Sequence, residues 1–214
     1  RLDDARTGAP RRVRSPLAMV VRRPALRRLA TAGFGLAGVQ LSVSTFYTAY
    51  LVEGLGLSLG LAGLLFGMLQ VAGVPARVVW GWLADRVFGL ERAFAILAGL
   101  TALGLGVTAL AAPSWPAWAL ALLGVYLGFS VMAWTGLYLA AAVAAAPEEA
   151  STVSAGAMIF TFAGVVALPP LFGLVVERAG GYPTGFAAAA LVAAAALGFL
   201  LRPTSSTESA HVDP

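Results

Sequence analysis

The chain has 214 residues, 59% of them hydrophobic and 11% charged, with no cysteine, one histidine and a formal net charge of +4. That apolar content exceeds what a water-soluble domain of this length can hide, so lipid must face much of it. A disulfide framework and thiolate chemistry are excluded, and with the lone His211 in a polar tail no metal and no cofactor is expected.

Residues 1–28 are polar, interrupted by Gly8, Pro10, Pro16 and Pro24. They hold nine of the 14 basic residues, and every basic residue in the chain is arginine. This stretch reads as a cytoplasmic segment, partly disordered, with a short amphipathic turn near Leu17 to Val21. Positive charge directly outside a membrane span sets topology and contacts anionic lipid, so the basic balance points to the bilayer and not to nucleic acid. A signal peptide does not fit, because the apolar run that follows continues to Val52 and further spans come after it. Beginning with Arg1 and not methionine, the sequence is expected to be a fragment or a processed product.

Six apolar stretches follow, at 29–52, 59–83, 92–112, 117–145, 152–176 and 184–201. Each is near the length of about 20 residues at which a helix crosses a bilayer. Spanning strands would be shorter and would alternate polar with apolar, so the fold class is all-α, a polytopic membrane protein with six transmembrane helices. With the N-terminus inside, the leading arginines, Arg86, Arg92 and Arg202 are all cytoplasmic. Arg178 is then outside and Arg77 lies within a span. This asymmetry predicts a multi-pass plasma-membrane protein with both termini in the cytoplasm. Glycines recur along the spans, and Gly63-xxx-Gly67 is the expected helix-packing pair. Trp115 and Trp118 read as interfacial anchors at the outer end of the fourth span. Pro75 in the second span and Pro169 and Pro170 in the fifth each remove a helix hydrogen bond, and are expected to act as hinges. Glu148 and Glu149 read as a solvated helix start, and 202–214 as a disordered tail.

An internal echo divides the spans. The second ends Gly81-Trp82-Leu83-Ala84-Asp85-Arg86 and the fifth ends Gly173-Leu174-Val175-Val176-Glu177-Arg178, both G-x-x-x-acid-Arg with glycine soon after. Upstream, Ala72-Gly73 with Pro75 resembles Ala163-Gly164 with Pro169. Two three-helix units follow, about 29–112 and 117–201. Their equivalent helices run in opposite directions, which makes them the inverted repeats typical of secondary transporters.

The loop GWLADRVFGLER resembles the signature loop of the major facilitator superfamily, G-x-L-A-D-R-x-G-R-K. Gly81, Leu83, Ala84, Asp85, Arg86 and Gly89 match. One extra residue separates Arg86 from Gly89, and Leu90-Glu91 replaces the basic pair, leaving Arg92 as the nearest positive charge. With the leader RRPALRRL and the run PPLFGLVVERAGGY, the resemblance covers about 22–201 and implies the C-terminal six-helix half. It implies a gating role for Gly81, Asp85, Arg86, Gly89 and Arg92, the bland alternative being a tight polar turn. It also implies that the first and fourth helices line the pathway. The partner would be a missing N-terminal six-helix half or a second copy of this chain.

Arg77 is the one charge well inside a span, where it costs roughly 2.5–3.5 kcal/mol on insertion scales. It lies one turn before Gly81, and carboxylate transporters of the superfamily look similar there. Its guanidinium therefore either contacts a carboxylate or other anion, or it snorkels to the cytoplasm or pairs with an acidic group of the missing half. Gln40, Ser44 and Tyr47 share a face of the first span, Gln70 precedes Pro75 in the second, and Ser130 and Trp134 lie along one side of the fourth after Tyr126. These are the candidate substrate contacts, with Ser130 alternatively satisfying a backbone carbonyl. The reading is secondary active transport of a small solute by alternating access, with a monocarboxylate or another organic anion as cargo. Export of hydrophobic compounds by the same fold, or a non-transporting membrane scaffold, are the alternatives. An enzyme is not expected, since no HExxH, GxSxG or paired intramembrane carboxylates occur.

Overall fold

Ser15 is followed by Pro16, and proline at the first helical position starts a helix at no hydrogen-bond cost. The computed structural model, which describes residues 15–202, begins there with α1 (Pro16–Arg22). The arginines before Ser15, and the tail after Arg202 with His211, lie outside the described residues. Arg23 is held extended by the following Pro24, which opens α2 (Pro24–Ala49) at a new angle.

The remaining helices are α3 (Leu59–Leu83), α4 (Leu90–Ala109), α5 (Ala117–Val131), α6 (Trp134–Ala144), α7 (Ala150–Arg178) and α8 (Tyr182–Leu201). No strand occurs among the described residues. Taking α5 and α6 as one, six segments are long and apolar enough to cross a membrane. They match the predicted spans to within a few residues at most ends. The first starts five residues early, at Pro24, because the heads of Arg27 and Arg28 are accommodated at the helix start.

Helix ends follow local chemistry. The Ser58 side chain caps α3 by accepting from the Leu61 amide (3.3 Å). Gly180 and Gly181 both have positive φ between α7 and α8, a conformation most side chains cannot adopt.

The pairing of the spans is symmetrical. α2 packs along α7, α3 along α5, and α4 along α8. Exchanging the first three spans for the last three reproduces the same pairs, as expected of two related three-helix units. Glycines at the crossings bring backbones together. A Cβ on Gly164 of α7 would collide with the Phe34 carbonyl of α2, and one on Gly128 of α5 with the Leu69 carbonyl of α3. Gly38 faces Leu168 and the Gly164 carbonyl, and Gly73 lies against Met132. The expected Gly63 and Gly67 pair is not a seam between the described helices, for nothing lies within 4 Å of a Cβ at either position. Gly81 is open in the same way. Both of the first two are on the side of α3 that also exposes Leu64, Val71, Val74 and Val78. The spacing marks a smooth stripe but does not say which face meets a neighbour.

Tyrosine hydroxyls tie the spans across. Tyr50 donates to the Thr108 carbonyl (2.8 Å), Tyr126 to Leu100 (2.9 Å) and Tyr138 to Ala157 (3.0 Å). A polar link of this kind in lipid contributes about 0.6–2 kcal/mol. Tyr138→Phe, which keeps the ring on Gly33, is expected to lower stability by about that amount in a detergent unfolding titration. At the end where the described residues begin and finish, Arg23 pairs with Glu149 (2.6 Å) and Glu148 (3.7 Å). Arg28 there pairs with Glu91 and donates to the Arg202 carbonyl (2.7 Å). The predicted solvated helix start at Glu148 and Glu149 is thus also an anchor for the leader.

Candidate solute site

The fourth span is not one helix. α5 stops at Val131 and α6 starts at Trp134, with Met132 (φ −94°, ψ −7°) and Ala133 (φ −101°, ψ −9°) between them off helical geometry. A helix end strands carbonyls that have no amide one turn on. Two of these are met from α3. Trp80 Nε1 donates to the Phe129 carbonyl (3.1 Å), and Arg77 Nε donates to the Met132 carbonyl (3.2 Å). The close approach of Gly73 to Met132, one turn before Arg77, brings the two helices near enough for this.

Arg77 is otherwise exposed, and neither of its Nη groups bonds a partner among the described residues. The side-chain donor at Nε is therefore committed to the scaffold, while the fork of the guanidinium is available.

On the other side of the break stands Gln40 of α2. It accepts from Trp134 Nε1 (2.8 Å), and its own Nε2 donates weakly to the Met132 sulfur (3.3 Å). An indole N–H only donates, so the oxygen of Gln40 must face it and the amide nitrogen must face away. Beside this pair is a cavity of about 210 Å³ between α2, α6 and α7. Gln40, Ser44, Trp134, Thr135, Thr161 and Val165 line it. The Ser44 and Thr135 hydroxyls form no hydrogen bond among the described residues, whereas Thr161 is bonded to the Ala157 carbonyl. The surround is neutral, with hydroxyl and amide groups on an apolar wall.

The structure brings Gln40, Ser44 and Trp134 together at the cavity and links Arg77 to them through Met132. It does not bring in the other three candidates. Tyr47 is buried with 1% exposure, set edge-on to Phe186, and its hydroxyl reaches toward Gly124 with no partner. Ser130 donates to the Tyr126 carbonyl of its own helix (3.0 Å), the alternative open from sequence. Gln70 is exposed on α3, seven residues from Arg77 and so on the same face but outside the cavity. Met132, Thr135 and Thr161 were not singled out from the sequence. Thr135 adjoins Trp134, but neither Met132 nor Ala133 is a residue that breaks helices.

The extra residue in the signature loop has a structural solution. α3 runs into a π-helical turn, Ala84–Phe88, closed by the Gly89 amide on the Ala84 carbonyl (2.9 Å), and Gly89 then takes φ +77° to start α4. One residue is absorbed by the wider turn. Asp85, Arg86 and Arg92 are exposed there, and no ion pair joins them among the described residues. Glu91, which stands in for a basic residue, is the partner of Arg28. Pro75, Pro169 and Pro170 lie within α3 and α7, and both helices continue through them.

A model of the family described as Major Facilitator Superfamily matches residues 30–214. No curated protein matches the chain.

Proposed function

Since the chain belongs to the major facilitator superfamily, we propose that it carries half of the pathway of a secondary transporter for a small organic anion, a monocarboxylate or a close relative. The coarse conclusion, a multi-pass membrane protein of a transporter family, rests on the family match and the six apolar spans. The finer one rests chiefly on Arg77. Its Nε is fixed by the Met132 carbonyl midway along the fourth span, leaving a fork of donors without a partner among the described residues, and Met132 separates it from the uncharged cavity. A guanidinium fork matches a carboxylate bidentately. Gln40, with its amide nitrogen turned away from Trp134, and the hydroxyls of Ser44 and Thr135 would receive the rest of the solute.

Alternating access follows from two inverted units, about 29–112 and 117–201, rocking against a second six-helix half. The symmetrical pairing of α2 with α7 and α3 with α5 supports that division. The exposed flanks of α3 and α7 are where the second half would pack. Asp85 and Arg86, in no ion pair among the described residues, would engage a neighbouring helix in one state and release it in the other. The arginine asymmetry supports a plasma-membrane protein with both termini in the cytoplasm.

The test is uptake of a labelled short-chain monocarboxylate into proteoliposomes holding the full transporter. Wild-type uptake that is saturable and competed by other carboxylates supports the reading; uptake that survives Arg77→Gln unchanged overturns it. Pro169→Ala with Pro170→Ala is expected to slow transport severalfold without weakening solute binding, and an unchanged rate would exclude a hinge role.

A further inference from the structure

Four arginines of the leader are described, and they divide into two kinds. Arg23 and Arg28 are engaged, with Glu148 and Glu149, and with Glu91 and the Arg202 carbonyl. Arg22 and Arg27 are exposed and meet no acidic group or carbonyl among the described residues. The engaged pair is sufficient to fix the leader to the bundle, so Arg22 and Arg27 have another use or none.

Their surroundings indicate which. α1 buries Met19 and Val20 against the bundle and turns the opposite face outward. That face consists of Leu17 and Val21, each 45% exposed, with Arg22 at its edge. Two branched apolar side chains one turn apart thus form a stripe that ends in arginine. The Pro16 carbonyl lies against Gly156, where a Cβ would be 2.6 Å away. Gly156 is six residues, or about 9 Å, inside the start of α7, whereas Arg23 pairs with Glu148 and Glu149 just before it. α1 therefore runs alongside α7 with Leu17 deeper than Arg22, as a lipid with its headgroup at the arginines and its chain over the stripe requires. A groove of about 260 Å³ runs beside α1, lined by Ser15, Ala18, Met19, Arg22 and Arg23. Its wall is mostly apolar and its rim carries guanidinium groups.

We infer that the corner between α1 and α2 binds an anionic phospholipid. The phosphodiester lies between Arg22 and Arg27, and the acyl chain runs over Leu17 and Val21. A zwitterionic lipid fits the apolar part equally well but brings its own cation to two guanidiniums that have no partner among the described residues. Charge therefore selects, at about fivefold per arginine near the surface. The lipid would brace α1 against α7 from outside, as Arg23 braces it from within.

The full chain in detergent, exposed to equal amounts of phosphatidylglycerol and phosphatidylcholine and weighed by native mass spectrometry, tests this. The expected result is retained phosphatidylglycerol in excess over phosphatidylcholine. That excess should disappear in Arg22→Gln with Arg27→Gln and persist in Arg22→Lys with Arg27→Lys, which keeps the charge and controls for folding. It should also persist in Arg86→Gln with Arg92→Gln, which removes two exposed arginines from the same end. Equal retention of the two lipids by the wild type overturns the site. So does an equal loss in the two glutamine doubles, which would mean diffuse attraction to a basic surface. Neither outcome bears on the solute reading, since transport is not measured.

Discussion

Alanine at Gly164 or Gly128 is expected to be among the most damaging single substitutions in this chain, although it adds only one methyl group. In both cases the new Cβ meets a backbone carbonyl, of Phe34 and Leu69 respectively, and not the movable end of a side chain. Relief requires parting α2 from α7 or α3 from α5, the two symmetrical seams of the bundle. Overpacking costs typically 1–3 kcal/mol, and here about 3 kcal/mol is expected because neither helix can yield locally. Unfolding of the purified protein in detergent should show a clear drop in midpoint for each variant. Gly63→Ala and Gly67→Ala, which look like the more conspicuous motif, should stay within about 0.5 kcal/mol of wild type, as an open surface allows. If the two pairs of variants behave alike, the seams are not where the backbone geometry puts them.

Arg77→Gln is expected to reduce organic-anion uptake by about 10–100-fold at subsaturating solute. That range corresponds to losing charge-assisted hydrogen bonds of roughly 1.5–3 kcal/mol. Glutamine reaches less far and carries no charge, but retains a donor for the Met132 carbonyl. Arg77→Lys keeps the charge and loses the fork, so it should fall between the two. Thermal stability separates the roles of the residue. A large loss of uptake with a small change in stability assigns Arg77 to the solute, whereas parallel losses assign it to holding the break in the fourth span.

The six spans were legible because the contrast between apolar runs and arginine-bearing turns is steep, and because a bilayer imposes one length on every helix. The proposed division into related halves rests on two short repeats, Ala72-Gly73 and Ala163-Gly164, whose glycines lie at corresponding crossings, Gly73 on Met132 and Gly164 on Phe34. What periodicity could not supply was depth and direction. Gln40, Ser44 and Tyr47 share a helix face, yet the long Tyr47 ring passes beyond the cavity to Phe186 while the two shorter side chains line its wall. The break at Met132 was hidden for a different reason. It arises where another helix crosses, and Gly73, Arg77 and Trp80, which accommodate it, are some 50 to 60 residues away in sequence. The extra residue in the signature loop was plain in the sequence, but its absorption as a π turn, and not as a longer loop, depends on a hydrogen bond that no spacing reveals.

A continuous membrane helix keeps its two electrical poles at its ends, in reach of water. Cutting the fourth span at Met132 and Ala133 sets a carbonyl pole at the end of α5 and an amide pole at the start of α6 midway along its length. Each is equivalent to roughly half an elementary charge, in surroundings that screen poorly. Arg77 stands at the carbonyl pole and compensates it. The amide pole lies beside Trp134 and Thr135, which line the cavity wall, and no side chain among the described residues bonds it. For the proposed anionic solute, the amide pole at the cavity wall would add to the attraction of Arg77, and it is not a side chain. Replacing Arg77 removes the stronger source, and a replacement with no donor for the Met132 carbonyl also exposes the negative pole it had covered.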